Sequence, residues 1–88
     1  MKKEILFRSN ALDELFDWQK KDKKIFNKLT KLLKEIQRTP YEGSGQPEQL
    51  KYELKGLWSR RITQEHRLIY EISNEVIIIY SCKGHYEK

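Results

Sequence analysis

The sequence is poor in the residues that hold disulfides and metals: it has one cysteine, Cys82, and two histidines among 88 residues. A single cysteine excludes an internal disulfide and is typical of the reducing cytosol, so we expect a cytoplasmic protein. With no Asp/Glu cluster at ligand spacing either, we expect no metal site and no cofactor. No apolar run reaches the roughly 18 residues of a membrane span. The start at 1–5, MKKEI, is not followed by the apolar stretch of a signal peptide, so we expect neither a leader nor a membrane partner.

Positive charge is what the sequence has in excess, with 18 Lys and Arg against 13 Asp and Glu and a net charge of +5. Residues 1–40 hold 11 basic and 6 acidic side chains and carry all of this excess, while residues 41–88 hold 7 of each. Lysines dominate the first half, whereas Arg60, Arg61 and Arg67 cluster in the second. Because the arginine fork matches phosphate geometry, the first half suggests diffuse attraction for a polyanion and the second a defined site. A merely solvated lysine face is the competing interpretation.

The length predicts a single domain over residues 1–88, since two would each be too small to bury a core. Ile5 to Phe7 is a short apolar run that predicts a strand. Apolar residues then recur at helical spacing twice, which predicts a two-helix hairpin over 10–38. Ser9 or Asn10 is expected to cap the first helix and Asp22 the second. Thr39-Pro40 is expected to end the second helix.

The rest of the chain predicts a loop followed by strands. Residues 39–49 contain both prolines and two of the four glycines and are expected to form a long loop. Strands are predicted at 50–54, 57–63, 67–72 and 76–80, the last almost wholly apolar and therefore central and covered on both faces. The order predicts an α+β fold: a strand, a helical hairpin, and antiparallel strands forming a twisted sheet with the helices on one face.

Four polar side chains stand out as hard to explain by structure alone. Alternation directs Arg67 away from Leu68, and a hairpin of the two neighbouring strands would bring Arg61 close to it. Two close cations are unfavourable unless an anion lies between them. Glu48 lies in the long loop, and His85 follows the last strand. The arginines could instead pair with nearby glutamates, and a loop Glu or terminal His is usually solvent-exposed.

This set of side chains matches what RNA cleavage without a metal requires. RNA carries its own nucleophile, the 2′-hydroxyl, so an enzyme needs a base, cations for the phosphorane and an acid for the leaving 5′-oxygen. Each acid or base function contributes about 10²–10⁴ in rate. DNA lacks that hydroxyl and would be a far poorer substrate.

Three segments closely resemble the motifs of one family of bacterial toxins, and the resemblance extends over essentially the whole chain. They are 38–48, RTPYEGSGQPE; 56–70, GLWSRRITQEHRLIY; and 82–86, CKGHY. The chain is identified by them as similar to the YoeB/Txe family of the RelE superfamily, which belongs to type II toxin–antitoxin systems. The resemblance implies a RelE-like fold and cleavage of mRNA in the ribosomal A site, without metal or other cofactor.

The resemblance also implies roles for individual residues. Glu48 would be the general base, His85 the general acid and Arg67 the phosphorane-stabilising cation. Tyr86 would orient His85 or the substrate. Two further cations would hold backbone phosphate: Lys51 and Arg61. The products would be a 2′,3′-cyclic or 3′-phosphate and a free 5′-hydroxyl.

The partners that the resemblance implies are the 70S ribosome, mRNA and an acidic YefM/Axe-like antitoxin that covers the active site. Operator DNA would be bound only through the toxin–antitoxin complex. The sequence leaves the oligomeric state open, a homodimer included. It also leaves two other functions open: a RelE-fold toxin with a non-ribosomal target such as DNA gyrase, and a non-catalytic RNA-binding module.

Overall fold

The computed structural model describes residues 2–84 and shows two helices and five strands in that part of the chain. A 3₁₀ turn at Tyr52–Leu54 connects the second and third strands. In chain order the elements are β1 (Glu4–Phe7), α1 (Ser9–Lys21), α2 (Lys23–Arg38), β2 (Glu48–Gln49), β3 (Leu57–Arg61), β4 (Arg67–Ser73) and β5 (Val76–Ser81).

The five strands form one mixed sheet in the order β1-β5-β4-β3-β2. β1 pairs with β5 in parallel, and all the other neighbours are antiparallel. The chain can place β1 beside β5 because α1 and α2 intervene before β2, as a parallel pairing requires a long connection. The predicted α+β fold is confirmed, with β1 added in parallel at one edge.

Both helices pack on one face of the sheet, as predicted. The apolar stripe of the helices packs against every second residue of the strands. Together with neighbouring residues they form the buried core: Ala11, Trp18, Leu29, Leu32, Leu33, Ile36, Ile62, Leu68, Tyr70, Ile77, Ile79 and Cys82. β5 is an interior strand, between β1 and β4, but its alternate residues Val76 and Ile78 remain half-buried. The prediction that this strand is covered on both faces was therefore wrong. Neither helix in residues 2–84 is both long and apolar enough to cross a membrane.

The two helix starts differ in how they are capped. Asp22 caps α2 as predicted, since its side chain accepts hydrogen bonds from the amides of Lys24 at 3.1 Å and Ile25 at 3.2 Å. The prediction for α1 was wrong, because the helix already begins at Ser9 and its cap residue, Arg8, makes no side-chain capping bond. Asn10 instead donates through Nδ2 to the Tyr80 carbonyl at 2.8 Å, which ties α1 to β5.

Strand boundaries also differ around the long loop. The strand predicted at 50–54 is absent: Tyr52–Leu54 form the 3₁₀ turn, and Tyr52 has a positive φ of 59° that a strand does not allow. The strand that does form, β2, lies earlier, at Glu48–Gln49, within the predicted loop. Its pairing with β3 makes it a strand despite its polar sequence.

Candidate active site on the second face of the sheet

The face of the sheet opposite the helices, here called the second face, carries three of the predicted site residues. Arg61 and Arg67 are direct partners across β3 and β4, while Glu48 of β2 is opposite Ser59 of β3. Because direct partners and every second residue share a face, Glu48, Arg61 and Arg67 all lie on this one. Direct partners place their Cβ atoms about 5 Å apart and diagonal ones about 7–8 Å. The predicted proximity of the two arginines is confirmed.

Arg67 is half-buried and held by the turn that precedes it. Its Nη1 donates to three carbonyl oxygens of that turn: Thr63 at 2.8 Å, Gln64 at 3.1 Å and His66 at 3.4 Å. The turn is itself stabilised by the Thr63 hydroxyl, which accepts from the amides of Glu65 and His66 at 3.1 Å each. Arg67 is therefore anchored on one side by neutral carbonyls, which do not offset its positive charge.

Neither arginine forms an ion pair within residues 2–84. Of the glutamates considered as partners, Glu71 accepts a hydrogen bond from the Tyr80 hydroxyl at 2.7 Å, which raises the pKa of Tyr80. Glu65 approaches His66 at 3.9 Å. The alternative that Arg61 and Arg67 serve only as partners of these acids is thus not what the described structure shows. The pair is suited to an added anion such as a phosphodiester.

The segment that follows β5 is fastened beside Arg67. The Arg67 amide donates to the Gly84 carbonyl at 2.9 Å, and the Gly84 amide donates to Nδ1 of His66 at 2.8 Å. His66 packs edge-on against Trp18, with ring centroids 4.7 Å apart. The His66 imidazole is thus bonded to a residue 18 positions away and not within its own turn. The predicted catalytic residues His85 and Tyr86 lie outside the described residues.

Two hydrogen bonds hold Cys82 against α1. The Trp18 indole donates to the Cys82 carbonyl at 2.8 Å, and the Cys82 amide donates to the Glu14 carboxylate at 2.8 Å. Burial, with Glu14 nearby, raises the pKa of the Cys82 thiol to about 12. Sequence reasoning missed Glu14 and this use of Trp18, because neither stands out by residue type or spacing. Cys82 is a fully buried core residue.

Arg60 differs from the arginine cluster that the sequence suggested. It is fully buried on the helix side of β3 and forms an ion pair with Glu35 at 2.8 Å. The grouping of Arg60 with Arg61 and Arg67 as one site was therefore wrong. Alternation could have revealed this, since Arg60 shares its strand face with Trp58 and Ile62, which belong to or pack against the core.

The other predicted or suspected features are on or near the surface. Lys51 is exposed, three residues after Glu48, at the start of the 3₁₀ turn. Glu48 is exposed as well. Within residues 2–84 no three His, Cys, Asp or Glu side chains are grouped so as to hold a metal ion.

The outer surface of α2 forms a basic groove of about 460 Å³. Three exposed lysines, an asparagine, and residues of the helix and the following loop line this groove: Lys24, Asn27, Lys28, Lys31, Leu32, Glu35 and Ser44. None of the lysines forms an ion pair in the described part of the chain. The groove and the second face belong to opposite sides of the sheet.

Comparison with known proteins gives the same family as the sequence motifs. Residues 7–86 match the model of the YoeB-like toxin of bacterial type II toxin–antitoxin systems. Toxin YoeB of Escherichia coli K12 is 44% identical over 82 residues, covering 93% of this chain and 98% of that protein.

Two solved structures from Staphylococcus aureus agree in fold. A YoeB dimer has a TM-score of 0.89 at 44% identity, and a heterotetrameric YoeB–YefM toxin–antitoxin complex has 0.87 at 44%. Each comparison covers 98% of this chain and 100% of the other. The resemblance stated from the motifs is confirmed, and the chain belongs to the YoeB-like toxins of bacterial type II toxin–antitoxin systems.

Proposed function

We propose that the protein is a ribosome-dependent endoribonuclease that cleaves mRNA in the ribosomal A site. The observation that carries this proposal is the pairing of Arg61 with Arg67 on the face that also holds Glu48. A phosphodiester between the two guanidinium groups would relieve their repulsion, and a carboxylate nearby could accept a proton. The family to which the chain belongs supports the same conclusion.

The reaction follows from these side chains and the chemistry of RNA. Glu48 accepts the proton of the 2′-hydroxyl, and the 2′-oxygen forms a bond to phosphorus. Arg61 and Arg67 stabilise the charge of the phosphorane, with Lys51 holding neighbouring phosphate. The bond from phosphorus to the 5′-oxygen then breaks, and His85, oriented by Tyr86, donates the proton that this oxygen takes. The products are a 2′,3′-cyclic phosphate, which hydrolysis opens to a 3′-phosphate, and a 5′-hydroxyl.

The basic groove on α2 supports the ribosomal part of the proposal. Neutralising phosphates with lysines gives affinity without sequence preference. A toxin that acts on mRNA inside the ribosome needs such affinity for the surrounding RNA, and the groove lies away from the face that would contact the scissile bond. We place the protein in the cytoplasm with its ribosomal substrate.

Regulation by an antitoxin is part of the same proposal. One Staphylococcus aureus structure shows YoeB in a heterotetramer with YefM, and another shows a YoeB dimer from the same species. We infer that an acidic YefM/Axe-like antitoxin neutralises this chain by covering the second face, where the paired arginines are free of acidic partners within residues 2–84. The toxin–antitoxin complex would repress its own operon. The toxin without its antitoxin would form a homodimer, as in the Staphylococcus aureus dimer structure.

Mapping of mRNA 5′ ends on programmed ribosomes tests the proposal. Glu48→Gln is expected to slow A-site cleavage by about 10²–10⁴, the usual contribution of a general base, and Arg67→Gln by about 10²–10³. Glu53→Gln removes an exposed carboxylate five residues from Glu48 and should cleave normally. Folding is checked by circular dichroism.

Three results would contradict the proposal in different ways. Unchanged cleavage by Glu48→Gln would remove this residue as the base. RNA binding without cut ends, even on ribosomes, would identify a non-catalytic module. Intact mRNA beside damaged DNA in poisoned cells would point to gyrase.

A further inference from the structure

The buried guanidinium of Arg60 uses all of its hydrogen-bond donors inside the protein. Arg60 Nε donates to the Tyr70 hydroxyl at 3.1 Å, and Nη1 donates to Glu35 Oε1 at 2.8 Å. The remaining bonds go to backbone carbonyls of the loop between α2 and β2: Thr39 at 2.6 Å, Glu42 at 2.8 Å and Ser44 at 3.2 Å. Five bonds match the five N–H groups of an arginine side chain.

The loop over residues 39–47 has no regular structure of its own and is organised around this side chain. The Tyr70 hydroxyl extends the network by donating to the Pro40 carbonyl at 3.1 Å. Glu35 accepts from the amide of Ser44 at 2.9 Å and from its hydroxyl at 3.2 Å. Four inward-facing loop carbonyls thus depend on two side chains, Arg60 and Tyr70, for their hydrogen bonds.

The same loop carries the chain directly to Glu48. Shortly before β2, the Arg61 amide donates to the Gly45 carbonyl at 2.6 Å, so the loop is bonded to β3 as well. Arg60 and Arg61 are neighbours on opposite faces, so one dipeptide holds the loop from inside and presents a cation on the second face. β2 itself has only two residues and cannot fix the position of Glu48 alone.

We infer that Arg60, with Glu35 and Tyr70, is a positioning device that sets where Glu48 stands relative to Arg61. This inference rests on the proposed role of Glu48 as the base. Arg60 is buried and does not contact the substrate; it acts through the 39–47 loop. Lysine cannot replace it, because a point charge with three donors does not span a planar set of five acceptors.

Tyr70→Phe is the most conservative test, since it removes one hydroxyl from the network and keeps the buried ring. We expect single-turnover cleavage on programmed ribosomes to fall about 10-fold and ribosome affinity to stay within about 2-fold, because misplacement of a catalytic group by 1 Å can cost about 10² in rate. Arg60→Lys is expected to lower the same single-turnover cleavage rate about 10²-fold. Tyr41→Phe is the matched control: its hydroxyl is in the same loop and forms no hydrogen bond within residues 2–84.

A double-mutant cycle separates positioning from a general loss of structure. In a Glu48→Gln background, Tyr70→Phe should have no further effect on the residual cleavage rate, because the group that it positions is gone. A further 10-fold loss in that background would overturn the inference, as would full activity of Tyr70→Phe in the parent protein. If Arg60→Lys does not fold, the tyrosine pair still decides. Full activity of Glu48→Gln alone would instead refute the proposed base.

Discussion

Arg60 and Arg61 follow each other in β3 and meet opposite surroundings, since successive strand residues point to opposite faces. Arg60 is buried with every donor bonded, and Arg61 is exposed beside Arg67. A guanidinium tolerates burial only when it is paired and fully hydrogen-bonded, which Glu35 and the loop carbonyls ensure. Two identical side chains therefore have opposite burial and different partners because successive strand residues alternate between the faces.

Cys82 provides a prediction at the level of a single group. Burial raises the pKa of its thiol to about 12, so at pH 8 only about one molecule in 10⁴ carries the reactive thiolate. Alkylation by iodoacetamide at pH 8 should be at least about 10²-fold slower for the native protein than for the urea-unfolded chain, where the cysteine has its ordinary pKa of 9.0. Equal rates in the two states would contradict the buried thiol.

The same shift links stability to pH. The unfolded thiol loses its proton near its ordinary pKa of 9.0, while burial keeps the folded thiol protonated to about pH 12. The folded protein therefore holds more protons in this window, and its contribution to stability, complete below pH 9, is lost as the pH rises towards 12.

Gly45 lies where the 39–47 loop passes closest to β3. It has a φ of +82°, and an added Cβ would be 2.9 Å from the Arg61 carbonyl oxygen. Gly56 has a φ of +100° with nothing within 4 Å of an added Cβ. Both alanine variants incur left-handed backbone strain, but only Gly45→Ala adds a backbone collision, so it should cost roughly 1–3 kcal/mol more. Urea unfolding of the two variants measures the difference, and equal midpoints would contradict the close approach.

Among the elements, the two helix starts offer a matched comparison. The Asp22 side chain caps α2 with two amide bonds, whereas Ser9 begins α1 without any side-chain cap at that helix start. Asp22→Ala is expected to destabilise the protein by about 1 kcal/mol. Ser9→Ala should be close to neutral. Thermal unfolding followed at 222 nm compares them, and a larger loss at Ser9 would contradict the assigned caps.

The short strand β2 shows how one element depends on its neighbours. It has two residues, Glu48 and Gln49, both exposed, and nothing in them favours a strand. Pairing with Ser59 and Trp58 of β3 defines its register, and the loop held by Arg60 delivers it there. Its position is consequently a property of the assembled sheet.

At the scale of the molecule, the lysine-rich positive charge of α2 lies on the opposite side of the sheet from the candidate active site. α2 alone has six basic side chains against Glu35, and Glu35 is neutralised by Arg60. This unpaired charge forms the basic groove on the helix side, while the second face carries the arginine pair. In the proposed function, the helix side would bind RNA broadly and the second face would contact one linkage.

Salt dependence tests that division. Lys28→Gln combined with Lys31→Gln should reduce the slope of log affinity for ribosomes against log salt by about 2, because each lost phosphate contact removes about one unit of counterion release. Lys20→Gln with Lys21→Gln removes the same charge from α1, outside the groove, and should change the slope less. Equal changes would mean that only net charge matters. Once it is bound to the ribosome, the Lys28→Gln, Lys31→Gln double variant should cleave mRNA at the normal rate.

Much of the architecture was predictable from local pattern. The apolar period of α2, the Asp22 cap and the alternation in β4 each depend on residues a few positions apart, and each prediction was confirmed. The hairpin of β3 and β4 also brought Arg61 to Arg67. The predicted strand at 50–54 failed because tertiary pairing outweighed local propensity.

The site was predictable only in part. Glu48, Arg61 and Arg67 share a face, and their catalytic roles stay predictions, as do those of Lys51, His85 and Tyr86. The bonds of Arg60 to the loop and of His66 to Gly84 join residues that no local pattern connects. Only the register of the completed sheet brings such partners within bonding distance.

The sequence by itself determined the helices, most of the strands, the excess of positive charge and the family motifs, because these depend on residue type and short-range spacing. Tertiary structure alone decided that Arg60 bonds to the carbonyls of the 39–47 loop, that β1 joins β5 in parallel, and that Gly84 lies at Arg67. These features arise from contacts between segments distant in the chain, whose geometry is set when the strands align and the helices cover one face of the sheet.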